Sequence, residues 1–173
     1  ALYDSKRDRN TYRYYTLQMQ AEAVSRMQTV SNLRRALEQD ELTLHYQPIV
    51  DGGGTISGAE ALLRWSCPAE GLKMPGEFIE IAEETGVILD IGRWVLQRAT
   101  RDAQLWRERG LGDLRLSVNL SPRQLRDRSI IGDISSALAD SGFPAHLLTL
   151  ELTENSFVDL SDESTERLDA IRA

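Results

Sequence analysis

From residue 56 onward the sequence changes its hydrophobic period again and again, and that switching leaves few folds open to it. Residues 56–65, 114–120 and 147–153 read as strands, and each is followed by helical spacing, at 77–84 and 87–109, at 122–140 and at 161–173. Pro68, Gly71, Pro75 and Gly76 mark a loop, Gly110 stops a helix, and Gly142 with Pro144 closes another unit. Ser121-Pro122 supplies a cap and a proline at the first helical position, and Ser161 is placed to cap the last helix. Strand, helix, strand, helix, strand, helix implies parallel strands with right-handed crossovers, hence a layered or barrel α/β domain. A closed barrel of eight units takes about 250 residues, whereas this chain has 173. The expectation is an incomplete barrel with an open apolar strand edge, cut from a longer protein.

Upstream, residues 42–50 form another strand, joined to the 56–65 strand through Asp51-Gly52-Gly53-Gly54. So short a connection forces the two to run antiparallel, because a parallel return needs a crossover of a dozen or more residues. The glycines lie between two strands, where a turn is expected; a phosphate cradle belongs between a strand and a helix. Residues 16–40 hold no proline or glycine, and Leu17, Ala21, Val24, Met27, Val30, Leu33 and Leu37 recur at spacings of three or four. That is one amphipathic helix, which could join two domains, form a dimer seam or pack on its own domain. Residues 1–15 are basic and tyrosine-rich, and read as a helix end and a short strand with too little apolar mass for a domain.

Charge narrows the partners. The net charge is -7, yet the first 35 residues carry seven Lys/Arg against three Asp/Glu, so the body is acidic and its leader mildly basic. An acidic body repels a polyphosphate backbone, which argues against a nucleic acid polymer as partner. A small anion would need a metal or a focused arginine. The single cysteine, Cys67, cannot close an intrachain disulfide, and a reducing compartment is the simpler setting. No run of 18 apolar residues and no signal-peptide stretch occurs. A cytoplasmic segment is expected; any membrane tether of an inner-membrane parent would lie outside it.

Strand alternation then selects candidate residues. Along 56–65, Gly58, Glu60, Leu62 and Arg64 share one face; along 114–120, Ser117 and Asn119 oppose the leucines and Val118; along 147–153, Glu151 points with Thr149 and Thr153. Three parallel strands each aim a hard oxygen donor at one interior, toward the strand ends where α/β folds place their chemistry. Oxygen-only donors suit Mg²⁺, Mn²⁺ or Ca²⁺ better than zinc. From spacing alone, the same residues could equally satisfy one another or a barrel water. His45, His146 and Cys67 read as structural or incidental, and no nucleophile–histidine–acid arrangement is present.

The motifs Tyr46-Gln47-Pro48-Ile49, Glu60-Ala61-Leu62 with Leu63-Arg64, Pro75-Gly76-Glu77-Phe78-Ile79, Val118-Asn119-Leu120-Ser121 and Glu151-Leu152-Thr153-Glu154 occur in order. On these the chain resembles the EAL domain family over residues 33–173. Ala1-Leu2-Tyr3-Asp4-Ser5-Lys6 and Arg9-Asn10-Thr11-Tyr12-Arg13 further resemble the end of a GGDEF diguanylate cyclase domain. The resemblance implies residues 1–15 as a GGDEF remnant, 16–40 as an interdomain helix and 41–173 as the N-terminal half of an EAL domain, a modified TIM barrel with an antiparallel first strand. It implies hydrolysis of cyclic di-GMP to linear pGpG by metal-activated water, using Mg²⁺ or Mn²⁺ in a two-metal site. It makes Glu60, Asn119 and Glu151 metal ligands, Arg64 a phosphate contact, Gln47 and Leu62 pocket residues, and Glu154 a support for a neighbouring active-site loop. The family's Asp-Asp-Phe-Gly-x-Gly run and later site residues are absent from the 173 residues, so the segment alone is expected to be inactive. A homodimer is expected of the complete protein. Two rivals stand beside this reading: a receptor that binds cyclic di-GMP without hydrolysis and signals through its N-terminal helix, and a structural partner domain that binds nothing.

Overall fold

Alternation is visible in the burial of β2 (Ile56–Cys67), where Ala59, Ala61, Leu63, Trp65 and Cys67 are buried and Glu60, Leu62 and Arg64 between them are half-buried. The computed structural model describes residues 17–68, 70–152 and 162–172. Along the chain come α1 (Leu17–Glu38), β1 (Leu42–Val50), β2, β3 (Gly71–Lys73), α2 (Ile79–Thr85), α3 (Ile88–Glu108), β4 (Arg115–Asn119), α4 (Pro122–Arg126), α5 (Ile130–Ser141), β5 (Leu148–Glu151) and α6 (Asp162–Arg172). The sheet order is β1-β2-β4-β5, with β3 paired to the end of β2. β1 runs antiparallel to β2, while β2–β4 and β4–β5 are parallel. This is the expected α/β arrangement with an antiparallel first strand. The sheet is open, and β1 and β5 are its edges among the described residues.

One face of the sheet carries Leu42, Ala61, Leu63, Trp65, Leu116, Val118 and Leu120, and the core lies between this face and the helices. From α3 come Ile91, Val95, Leu96, Ala99 and Ala103, and from α5 Ile130, Ile134 and Ala137. Small residues let α3 and α5 approach closely. Thr100 uses that proximity: its hydroxyl lies 2.9 Å from Leu96 O on its own helix and 3.2 Å from Ala137 O on the other. Trp65 is fully buried, edge-on to Phe78 with ring centroids 5.6 Å apart. Its indole N–H donates to Glu41 Oε2 at 3.2 Å, and Glu41 O accepts from the Ser66 N–H at 2.8 Å. The turn from α1 into β1 is thereby fastened to β2.

Two local features depart from the sequence reading. The loop after residue 65 contains β3, whose three residues are held by pairing with β2 rather than by any period of their own. The helix expected over 122–140 is two helices, because Asp127 turns extended at ψ 136° and its carboxylate accepts the Ser129 N–H at 2.8 Å. That backbone donor holds the Asp127 carboxyl below its usual range. Local side-chain bonding of this kind competes with helix propagation. The helix α1 covers most of the expected 16–40 span; Leu33 and Ala36 near its end are fully buried, and Val24 and Met27 are 56% and 75% exposed. Residues 1–15 and the Ser161 cap lie outside the described residues.

Two backbone positions generate opposite expectations. Asp40 follows α1 at φ 53°, in the left-handed region, where the Glu41 N–H reaches back to Ala36 O at 3.1 Å. Glycine fits such a helix-ending position without the Cβ penalty. Gly58 lies where β2 meets β4, and a Cβ there would stand 2.6 Å from Arg115 O. We therefore expect Asp40→Gly to stabilise the fold by about 0.5–1 kcal/mol and Gly58→Ala to destabilise it by about 1–3 kcal/mol. Urea unfolding followed by tryptophan fluorescence measures both, and shifts of equal sign would contradict this account.

Candidate metal and ligand site

The face of the sheet turned away from the helices is polar, and the register fixes which of its residues are neighbours. Gln47 on β1 pairs with Glu60 on β2, Glu60 with Ser117 on β4, and Ser117 with Thr149 on β5. One step further toward the strand ends, Asn119 pairs with Glu151. Paired residues share a face, so the three expected oxygen donors sit on adjacent strands within two residues of one another in register. The next residue secures the end of β4, since the Leu120 N–H donates to Glu151 O at 2.8 Å.

Asn119 Nδ2 donates to Glu60 Oε1 at 2.7 Å. An ionised carboxylate only accepts, so the amide nitrogen must face Glu60, and Asn119 Oδ1 is left as an acceptor directed elsewhere. Glu60 Oε2 is likewise uncommitted among the described residues. Glu60 and Glu151 are half-buried and Asn119 is exposed. Among the described residues no three His, Cys, Asp or Glu side chains gather into a metal cluster. The donor set is instead two carboxylates and one amide, and this chemistry fits a hard divalent cation rather than zinc.

The remaining candidates fall around this group. Leu62 and Arg64 follow Glu60 on the same face, and Arg64 Nη1 donates to Leu63 O at 2.8 Å. Gln47 is exposed beside Glu60. Glu154 lies outside the described residues. Tyr46, in the first of the five motifs, points to the helix side: its hydroxyl donates to Asp102 Oδ2 at 2.8 Å and its ring meets Trp106 edge-on at 4.6 Å. Burial and the Asp102 carboxylate push its phenol well above the ordinary range, so it anchors β1 on α3. His45 is exposed on β1, His146 is exposed after Pro144, and Cys67 is buried, all consistent with structural or incidental roles.

Beside the site, between the ends of β2 and β4 and the helices α2, α3 and α4, lies a cleft of about 410 Å³. Leu62, Pro75, Ile79, Asn119 and Ser121 are among its lining residues, with Glu83 the one carboxylate among the described residues there. Burial, and then the neighbouring Glu80, raise the Glu83 carboxyl above its usual range. Two residues beside this cleft, of which Gln124 lines it, escape the sequence reading. Arg123 donates to Glu83 O at 2.7 Å and Glu84 O at 3.2 Å, closing the end of α2. Gln124 completes a capping box with Ser121, a pairing legible as Ser-x-x-Gln once the helix start is located.

No helix among the described residues is long and apolar enough to cross a membrane. The family model for the EAL domain matches residues 30–173. Over the whole chain the sequence is 39% identical to the bifunctional diguanylate cyclase/cyclic di-GMP phosphodiesterase MucR of Pseudomonas aeruginosa, of which it covers 26%. It is 37% identical over 92% of its length to the cyclic di-GMP phosphodiesterase PdeR of Escherichia coli, covering 24% of that protein. The chain thus spans about a quarter of the length of these curated relatives. Among solved structures, the cyclic di-GMP complex of the PaMucR phosphodiesterase superposes with a TM-score of 0.79 at 39% identity, over 84% of this chain and 59% of that one. The Xanthomonas citri FimX EAL domain in complex with cyclic di-GMP superposes with a TM-score of 0.74 at 30% identity, over 89% and 61%. By its motifs, its sheet order and these matches, the chain belongs to the EAL domain family.

Proposed function

We propose that the full-length protein hydrolyses cyclic di-GMP to linear pGpG in a reaction that depends on Mg²⁺ or Mn²⁺, and that residues 41–173 supply one wall of the site. The observation that carries this reading is the Asn119–Glu60 hydrogen bond beside Glu151, an arrangement of oxygen donors already assembled by backbone pairing. Relatives named as cyclic di-GMP phosphodiesterases support the substrate. A divalent cation held by Glu60, Asn119 and Glu151 would lower the pKa of a bound water and neutralise charge on phosphoryl oxygens, and a second one would extend this to both attacking and leaving oxygens.

The chain's own residues then have distinct tasks. Arg64 presents a planar donor fork of which one nitrogen is engaged by Leu63 O, leaving further N–H groups for a phosphate. Gln47 and Leu62 border the ligand on either side of Glu60, and Glu154 supports a neighbouring loop. Residues 1–15 are the remnant of a GGDEF-like domain and 16–40 the helix joining it to the EAL domain; the complete protein acts as a homodimer.

Chromatographic detection of pGpG from the full-length protein with Mn²⁺ or Mg²⁺ tests the reading, and binding without turnover would replace it with the receptor alternative. In that assay we expect Glu60→Gln, Asn119→Ala and Glu151→Gln each to lower kcat by at least about 100-fold. Arg64→Lys is expected to raise KM by about 10-fold, the loss of one charge-assisted hydrogen bond. Unchanged KM for Arg64→Lys would remove Arg64 from the ligand contacts.

A further inference from the structure

A glycine sits within α3 at position 92, although glycine costs a helix interior about 1 kcal/mol relative to alanine. The reason is steric: a Cβ on Gly92 would stand 1.8 Å from Gln124 Nε2 and 2.6 Å from its Cδ. The missing side chain makes a notch in α3, and the Gln124 amide fills it. Gln124 is 5% exposed, so its amide has little freedom to swing away. Its Oε1 accepts the Ser121 N–H at 3.0 Å, and its own backbone N–H donates to Ser121 Oγ at 3.2 Å. Ser121 is two residues after Asn119, and Leu120 between them is tied to Glu151 O. Arg123 braces the same corner from the other side through the carbonyls of Glu83 and Glu84.

Asn119 itself is exposed, and its side chain is oriented by the hydrogen bond to Glu60 rather than by packing. Its placement therefore depends on where the backbone corner after β4 is held. We propose that Gln124, seated in the Gly92 notch, is a positioning residue for Asn119: it fixes the β4–α4 corner, and through it the amide that faces Glu60. A methyl group at 92 would displace the Gln124 amide and break its bond to Ser121. A displacement of a few tenths of an ångström at the corner would lengthen the Asn119–Glu60 bond and release the amide from the orientation that frees Oδ1. This inference rests on the metal-binding reading given above.

The test measures Mn²⁺ affinity of the full-length protein by electron paramagnetic resonance of the free ion, with the Glu60→Gln form subtracting Mn²⁺ held elsewhere. Gly92→Ala and Gln124→Met are expected to weaken the Glu60-dependent affinity by about 10-fold or more, in the range seen for groups that orient metal ligands. Gln124→Glu retains an acceptor for the Ser121 N–H in a Ser-x-x-Glu capping box and is expected to stay within about 3-fold of the parent. Thr100→Val, which removes a buried contact between α3 and α5 distant from the corner, serves as the control for general destabilisation. Equal Mn²⁺ affinity in the parent, Gly92→Ala and Gln124→Met forms would overturn the positioning role while leaving the metal site intact. Weakening by Thr100→Val as large as by Gln124→Met, or failure of Gln124→Glu to restore affinity, would also overturn it. A parent protein that binds no more Mn²⁺ than its Glu60→Gln form would overturn the metal reading, and this inference with it.

Discussion

The hydrogen-bond register of β2, β4 and β5 is the constraint on which the rest of the molecule depends. Gly58 opposite Arg115, Glu60 opposite Ser117 and Asn119 opposite Glu151 are consequences of one alignment. A slip by a single residue would exchange the two faces of a strand. It would bury Asn119 among the apolar side chains of α3 and α5 and turn Val118 toward the polar side. Burial of Leu116 and Val118 at 0% and 2% exposure shows how firmly the apolar face resists that exchange. The polar group is therefore placed by hydrophobic packing on the opposite side of the same strands, and Gly58 permits the close approach of β2 and β4 that this alignment needs.

Preorganisation follows from this arrangement. Glu60 and Asn119 lie on separate strands and meet at 2.7 Å without any loop having to order itself. A site built on strands loses little entropy when it takes up a ligand, compared with one built on mobile segments. The corner after β4 adds a second level of support. Gln124 in the Gly92 notch and Arg123 on the end of α2 hold from two directions the short segment that leaves Asn119. The cleft beside that corner, where burial raises the Glu83 carboxyl, is walled by α2, α3 and α4.

Much of this was legible in the sequence because it depends on period and spacing. The alternation in residues 56–65 and 114–120 places Glu60 and Asn119 on one face by strand period alone, and the four residues 51–54 force the hairpin. Features that depend on tertiary contact were not legible. β3 exists because β2 offers it an edge, and the break at Asp127 reflects a side chain choosing the Ser129 N–H over helical continuation. Periodicity also left open what the stripe of α1 meets, and Val24 and Met27 keep the helical spacing with nothing that buries them among the described residues. Gly92 reads in sequence only as an unfavourable residue in a helix; its purpose appears when Gln124, 32 positions away, is found occupying the space.

The proposed cation site requires that Glu60, Asn119 and Glu151, aligned by strand register and held at the corner after β4, reach one metal ion. Anomalous diffraction from crystals of the complete EAL domain grown with Mn²⁺ and cyclic di-GMP would locate that ion. The expected result is an anomalous peak within coordination distance of side-chain oxygens from all three residues. A Mn²⁺ peak that none of the three touches, with cyclic di-GMP bound in its place, would contradict it.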